Sequence, residues 1–270
     1  KINHTFLRQL LTKGTIPIIT GYQALNDNNE FVTLGRSGSD TTAVFVAAQL
    51  GAKCCEIYTD VPGVMSANPK HMPQAQLIKQ MPLPVMAKFA RLGAEVLHPE
   101  CIDLALQYHL SLKVCSSFSN KSGTYLSQQV PAEAALFGVA FAKDYALLVC
   151  DEKLEVNRPG ITHQQRSGAF LYAGLRSEMT WFLHDLQTNY PEIRIAQLNQ
   201  LDKISVVGVR LSEKSSVYQW LAEQQAVRLL SVDHSQMLIE VFVNKSESEF
   251  IFKEVHSQVL NASKFEKFLT

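Results

Sequence analysis

Gly35-Arg36-Ser37-Gly38-Ser39-Asp40 is the stretch whose residue types and spacing are best suited to chemistry. Glycines ahead of a helix let backbone N–H groups approach an anion, and the helix N-terminus favours negative charge there. Arg36 adds a fork that fits a carboxylate or phosphate, and Ser39 adds a hydroxyl donor. The same residues also make a Gly/Ser-rich turn leading into a capped helix. Thr59-Asp60-Val61-Pro62-Gly63 has a similar double character. An acid at a strand end orients a ribose or a metal-bound phosphate, while Asp-x-Pro-Gly is simply a good turn. Gly93-Ala94-Glu95-Val96-Leu97-His98-Pro99 reads either as a loop approaching a ligand or as a helix stop followed by proline at the next helix's first position.

These segments need a scaffold, and the first 128 residues alternate short apolar strands with helical stretches in the α/β manner. Thr15 to Gly21 reads as a buried strand, because Ile16, Ile18 and Ile19 are β-branched and Gly21 ends the run. Phe31 to Leu34 follows as a second short strand. Ser39 is the expected N-cap of the next helix, Asp40 suits its first turn, and Ala43, Val44, Ala47 and Leu50 form its apolar face. Gly51 stops that helix. Lys53 to Thr59 is then a strand, with Asp60 to Gly63 at its C-terminal end, where ligands bind in open α/β sheets. Helices at Leu83 to Leu92 and Pro99 to Tyr108 and a strand at Leu112 to Ser116 complete the region. Ile16, Ile18, Ile57 and Val114 are expected to be buried in a largely parallel sheet. Residues 129 to 135 read as a linker or short helix. From Lys203 the order strand, helix, strand, strand, helix is most of a ferredoxin-like unit, and residues 136 to 202 read as a weaker version of one.

Composition narrows the function classes. Hydrophobic residues are 46% and charged residues 19% of 270, enough to bury a core. The 25 basic and 25 acidic residues cancel, which argues against binding to the phosphate backbone of nucleic acid. No apolar run approaches the ~20 residues a spanning helix needs, so no membrane partner is expected. The five cysteines are odd in number and without Cys-x-x-Cys spacing. They read as reduced thiols of a cytoplasmic protein, with no metal site. His163 and His184 lack partners at metal-ligand spacing and read as ordinary histidines.

Together, Thr33 to Ala43 (TLGRSGSDTTA), Glu56 to Gly63 (EIYTDVPG), Leu92 to Pro99 (LGAEVLHP) and Val114 to Thr124 (VCSSFSNKSGT) resemble the aspartate kinases of the amino-acid kinase fold, in order and spacing across residues 15 to 126. The resemblance implies an α/β domain over 1–128, the C-terminal half of a kinase catalytic domain. It is followed by ferredoxin-like α+β domains of the ACT type at 136–202, in divergent form, and at 203–262. The implied activity is ATP- and Mg2+-dependent phosphorylation of the side-chain carboxylate of L-aspartate. Arg36 would hold the substrate carboxylate, Ser39 would hydrogen-bond the substrate, and Asp40 would be the catalytic residue that organises the loop or the metal. Thr59, Asp60, Gly63 and Lys70 would line the nucleotide. A lysine or threonine effector and a homodimer paired through the ACT-like region belong to the same resemblance.

The chain departs from the family pattern in three places. The Lys-Phe-Gly-Gly-Thr/Ser motif and roughly the first half of a catalytic domain would have to precede Lys1, so the chain alone is expected to be inactive. Glu95 stands where the family has lysine. Two unit charges 4 Å apart interact by about 4 kcal/mol at an effective dielectric of 20, so the reversal opposes ATP phosphates. Val64-Met65-Ser66-Ala67-Asn68-Pro69-Lys70 replaces Val-Tyr-Thr-x-Asp-Pro-Arg, and Lys70 keeps the charge of that arginine without its fork. The alternative of another class is a non-catalytic regulatory or assembly protein derived from such a kinase.

Overall fold

The computed structural model describes residues 4–35, 37–94, 96–120, 122–130, 135–154, 160–166, 168–233 and 237–261. They divide into two compact units, within 1–133 and 134–262. No helix among the described residues is long and apolar enough to cross a membrane.

The first unit runs α1 (His4–Thr12), β1 (Gln23–Leu25), β2 (Phe31–Thr33), α2 (Gly38–Leu50), β3 (Cys54–Thr59), β4 (Gln80–Pro82), α3 (Leu83–Arg91), α4 (Pro99–Gln107), β5 (Ser111–Ser116) and β6 (Thr124–Ser127). Strands β3-β5-β6-β4 form a sheet in which β3/β5 and β4/β6 are parallel and β5/β6 antiparallel. Ile57, Leu112, Val114 and Leu126 of this sheet are buried, as are Val85, Met86, Phe89, Cys101, Ile102 and Ala105 of α3 and α4. Burying these methylenes at roughly 0.8 kcal/mol each makes the packing of helices on the sheet the main local source of stability. Pro99 occupies the first position of α4, where its missing N–H costs nothing. Gly51 ends α2 at φ 71°, its N–H bonded to the Ala47 and Ala48 carbonyls.

Three expectations for this unit need correction. Thr15–Gly21 is not a strand: it has no regular secondary structure and joins no sheet among the described residues. Ile16 and Ile18 are accordingly 87% and 98% exposed. β-Branching favours an extended backbone, but only a neighbouring ladder makes a buried strand of it. The N-cap of α2 is Ser37, at φ 60°, rather than Ser39, because the helix already begins at Gly38. The face Ala43, Val44, Ala47 and Leu50 is buried at Val44 alone, the other three lying half-buried. The expected strand at Phe31 to Leu34 is present as β2 and pairs with β1, while α1 and β1 were not read from the sequence.

The second unit contains β7 (Ala135–Cys150), β8 (Thr162–Arg166), β9 (Ala169–Leu175), α5 (Arg176–Asn189), β10 (Ile195–Val209), α6 (Ser216–Glu223), β11 (Val227–Asp233), β12 (Leu238–Asn244) and α7 (Ser248–Asn261). One antiparallel sheet orders the strands β11-β12-β10-β7-β9-β8. Four strand spacings separate β12 from β8, about 19 Å in a flat sheet. Yet the Thr162 hydroxyl of β8 donates to Glu240 Oε2 of β12 at 2.6 Å. The sheet is therefore folded over on itself. The fold lines are Asp144 in β7 and Gln200 in β10, at φ 70° and 64°, where the β7/β10 register also shifts.

The result is two four-stranded halves packed face to face, both using β7 and β10. Tyr145, Leu147, Leu171, Ala173, Leu201, Leu229 and Phe242 fill the space between them. Helix α5 covers the outer face of one half through Met179, Phe182 and Leu186. Helices α6 and α7 belong to the other half, where Phe252 stacks on Phe141 at 5.0 Å. The Ser215 hydroxyl caps α6 by accepting the Tyr218 N–H. The sequence boundary at 202/203 falls inside β10, and residues 203–261 obtain their fourth strand from β7. Strand pairing of that kind is non-local and leaves no mark in the pattern of either segment.

Candidate active site

The ends of β3 and β5 are tied together, the Ser117 N–H donating to the Thr59 carbonyl at 2.7 Å. Beyond that tie, the Thr59 hydroxyl donates to Asp60 Oδ1 at 3.1 Å. Asp60 is exposed. The chain then turns at Gly63, whose φ is 142° and whose hypothetical Cβ would lie 2.6 Å from Thr124 Oγ1. Only glycine takes that conformation at that distance. Thr124, fully buried, accepts the Val64 N–H at 2.8 Å and donates to the Ile78 carbonyl at 2.6 Å. Thr124 thus pins both feet of the 64–78 loop. At the loop's outer part the Lys70 N–H donates to Asn68 Oδ1, and the Lys70 side chain is exposed.

The start of α2 is the second part of the site. Ser39 is exposed and lies against Gly21, where an added Cβ would sit 3.1 Å from the Ser39 backbone. Asp40 is half-buried. Burial pushes its carboxyl above the ordinary range, and the charge of His98 pulls the other way. Burial also raises the Cys55 thiol to about 11 and the Cys101 thiol to about 12, with the Asp40 charge adding to both. His98 sits at the N-cap of α4 without capping it.

The structure therefore brings the Thr59 hydroxyl to Asp60 and packs α2, which carries Asp40, on α4, whose N-cap is His98. Among the described residues no hydrogen bond or ion pair joins Ser39 and Asp40 to Thr59, Asp60, Gly63 or Lys70. Arg36 and Glu95 lie outside the described residues. Sequence reasoning missed Gly21, Thr124 and His98 as parts of the site. The signal for His98 was its position before Pro99, since Ser, Thr, Asp or Asn is the usual choice at an N-cap.

The amino acid kinase family model matches residues 1–116. The aspartokinase of Geobacillus stearothermophilus is 39% identical over 176 residues, which are 64% of this chain and 41% of that protein. The chain thus spans less than half the length of this curated relative. Among solved structures, E. coli aspartokinase III in complex with lysine and aspartate superposes with a TM-score of 0.71 and 21% identity, over 94% of this chain and 63% of that one. Clostridium acetobutylicum aspartate kinase gives 0.75 and 17%, over 88% and 62%. Residues 1–116 match the amino acid kinase family, and the chain as a whole has the α/β and ferredoxin-like fold of the corresponding part of these aspartokinases.

Proposed function

We propose that this chain is the C-terminal catalytic half and ACT-type regulatory region of an aspartate kinase, which phosphorylates the side-chain carboxylate of L-aspartate with ATP. The observation that carries the reading is the start of α2, where exposed Ser39 and half-buried Asp40 stand within the segment matching the amino acid kinase family. Phosphoryl transfer of this kind depends on positioning and charge stabilisation rather than on a covalent enzyme intermediate. Arg36 and Ser39 hold the aspartate, Asp40 organises the loop, and Thr59, Asp60 and Gly63 line the nucleotide, with Lys70 reaching it from the 64–78 loop. Mg2+ bound beside the nucleotide would supply charge neutralisation at its phosphates. Exposed Asp60 fits it, because Mg2+ keeps several waters and takes one or two carboxylates beside the phosphates.

The test is an ADP-coupled assay, with ATP, Mg2+ and L-aspartate, of the protein that carries this chain. Aspartyl phosphate is the expected product. Arg36→Ala is expected to raise KM for aspartate by roughly tenfold to a hundredfold, the worth of a charge-assisted bond of 1.5–3 kcal/mol. An unchanged KM rejects the role of Arg36, and absence of aspartate-dependent ADP release rejects the reaction.

The regulatory part of the proposal is a lysine or threonine effector and a homodimer through residues 136–262. E. coli aspartokinase III was solved with lysine. In this chain a cleft of about 460 Å3 beside the end of β7, with Asp151 and Arg194 in its lining, offers both charges that an amino-acid zwitterion needs. Strands β11 and β8 are the outermost of their sheet and carry the open edges that pair with a second copy. Light scattering at micromolar concentration is expected to give twice the 30.2 kDa chain mass, and a monomer there counts against the dimer.

A further inference from the structure

Strands β3 and β5 run parallel with Thr59 opposite Ser116, so the turns that leave them emerge side by side. Ligands of open α/β sheets sit beyond such carboxyl ends. The connection that follows β5 is fastened at both of its ends to the Thr59–Gly63 turn. At its start the Ser117 N–H donates to the Thr59 carbonyl at 2.7 Å. The hydroxyl of buried Ser116 accepts the Phe118 N–H at 3.1 Å, which fixes the turn that carries Phe118. At its end the chain returns through Gly123, at φ 70°, where an added Cβ would collide with the Val114 carbonyl oxygen. The next residue, Thr124, lies against Gly63, its Oγ1 filling the space that a Cβ there would take.

Phe118 is 83% exposed, the highest value for a large hydrophobic residue after Ile18 among the described residues. A single exposed apolar side chain is ordinary on a protein surface. This one stands on a doubly anchored connection, two residues beyond a strand end, beside exposed Asp60. Tyr58 is the other exposed aromatic of this strand pair. Its hydroxyl donates to Glu56 Oε2 at 2.7 Å, so its ring leans back along β3, away from the carboxyl end. Phe118 is thus the aromatic face that the strand ends present.

We propose that Phe118 is a specificity residue of the nucleotide site, stacking its phenyl face on the base of the bound nucleotide. The assignment of ATP as that nucleotide rests on the aspartate kinase reading; the stacking of a base does not. Aromatic side chains accept any base, because every base has a π-face. A phenyl ring has neither donor nor acceptor, so it grades ligands by ring area rather than by base edge. Asp60 then serves the metal and phosphate end, and Phe118 gives a nucleotide its advantage over a bare polyphosphate.

The experiment is isothermal titration of the protein that carries this chain, as wild type, Phe118→Ala and Phe118→Tyr, with MgADP and with magnesium tripolyphosphate. Both substitutions are at an exposed position, and circular dichroism checks that each variant is folded. In F118A the Kd for MgADP is expected to rise by roughly fivefold to a hundredfold, the loss of one stacking platform. F118Y keeps the ring and is expected to stay within about twofold of wild type. Tripolyphosphate has no base, so its affinity is expected to be the same in all three proteins. Unchanged MgADP affinity in F118A overturns the proposal, as does a wild type that does not bind MgADP. Equal weakening of both ligands overturns it too, because a disturbed turn does that and a lost ring does not. A wild type that binds MgADP but shows no aspartate-dependent ADP release fails the kinase reading instead, and the titrations still decide the stacking.

Discussion

Replacing Thr124 with valine is expected to destabilise the first unit by about 4 kcal/mol, although the two side chains are nearly the same shape. The hydroxyl accepts the Val64 N–H and donates to the Ile78 carbonyl, and Thr124 is 0% exposed. Valine removes both bonds and leaves two backbone groups dry. An unsatisfied buried polar group costs about 1–3 kcal/mol, so two cost several. The Ile78 N–H still bonds the Val64 carbonyl at 2.9 Å, so the loop is loosened at its feet rather than freed. Urea unfolding measures the loss, and hydrogen exchange at the Val64 amide localises it. Thr124→Ser keeps both bonds and gives up one methyl, about 0.8 kcal/mol. Equal stability of Thr124→Val and wild type would show that the hydroxyl is not what holds the loop.

The second large effect is expected in the folded sheet. Lys203 Nζ meets Glu240 Oε1 at 3.0 Å with the side chains only 14% and 15% exposed. It also lies 5.1 Å over the Tyr145 ring, and Thr162 holds the other Glu240 oxygen. Four strands from both halves of the sheet meet at this point. Lys203→Met leaves Glu240 charged, enclosed and without its cation, which costs about 3–5 kcal/mol. The double change Lys203→Met with Glu240→Leu is expected to recover most of that loss, because an apolar pair needs no desolvated charge. Equal losses in the single and double variants would mean that lost packing, rather than an unpaired charge, is responsible.

The pair has a pH signature as well. Burial pulls the Lys203 ammonium down, but the Glu240 charge and the Tyr145 contacts more than offset it, and the net direction is upward from 10.5. A cation raised in the folded state stabilises the fold below its unfolded value and loses that contribution as pH climbs through the folded one. Stability of the second unit is thus expected to fall above about pH 10.5, and the double variant is expected to lack that part of the fall. Chemical denaturation across pH 9 to 12 reads it out.

The sequence by itself determined what is local. Asp40 in the first turn of α2, Gly51 as that helix's stop and Pro99 opening α4 each act within a few residues of their own position. Short-range sterics and hydrogen bonding decide such features, so residue type and spacing suffice to read them. Tertiary structure decided what is non-local. Ile16 and Ile18 have the composition of a buried strand, yet burial needs a partner, and no other described segment provides one. Nothing in residues 203–261 announces that β7 supplies their fourth strand, or that turns at Asp144 and Gln200 fold one sheet into two facing halves. Register between distant strands is set by the sum of many weak contacts.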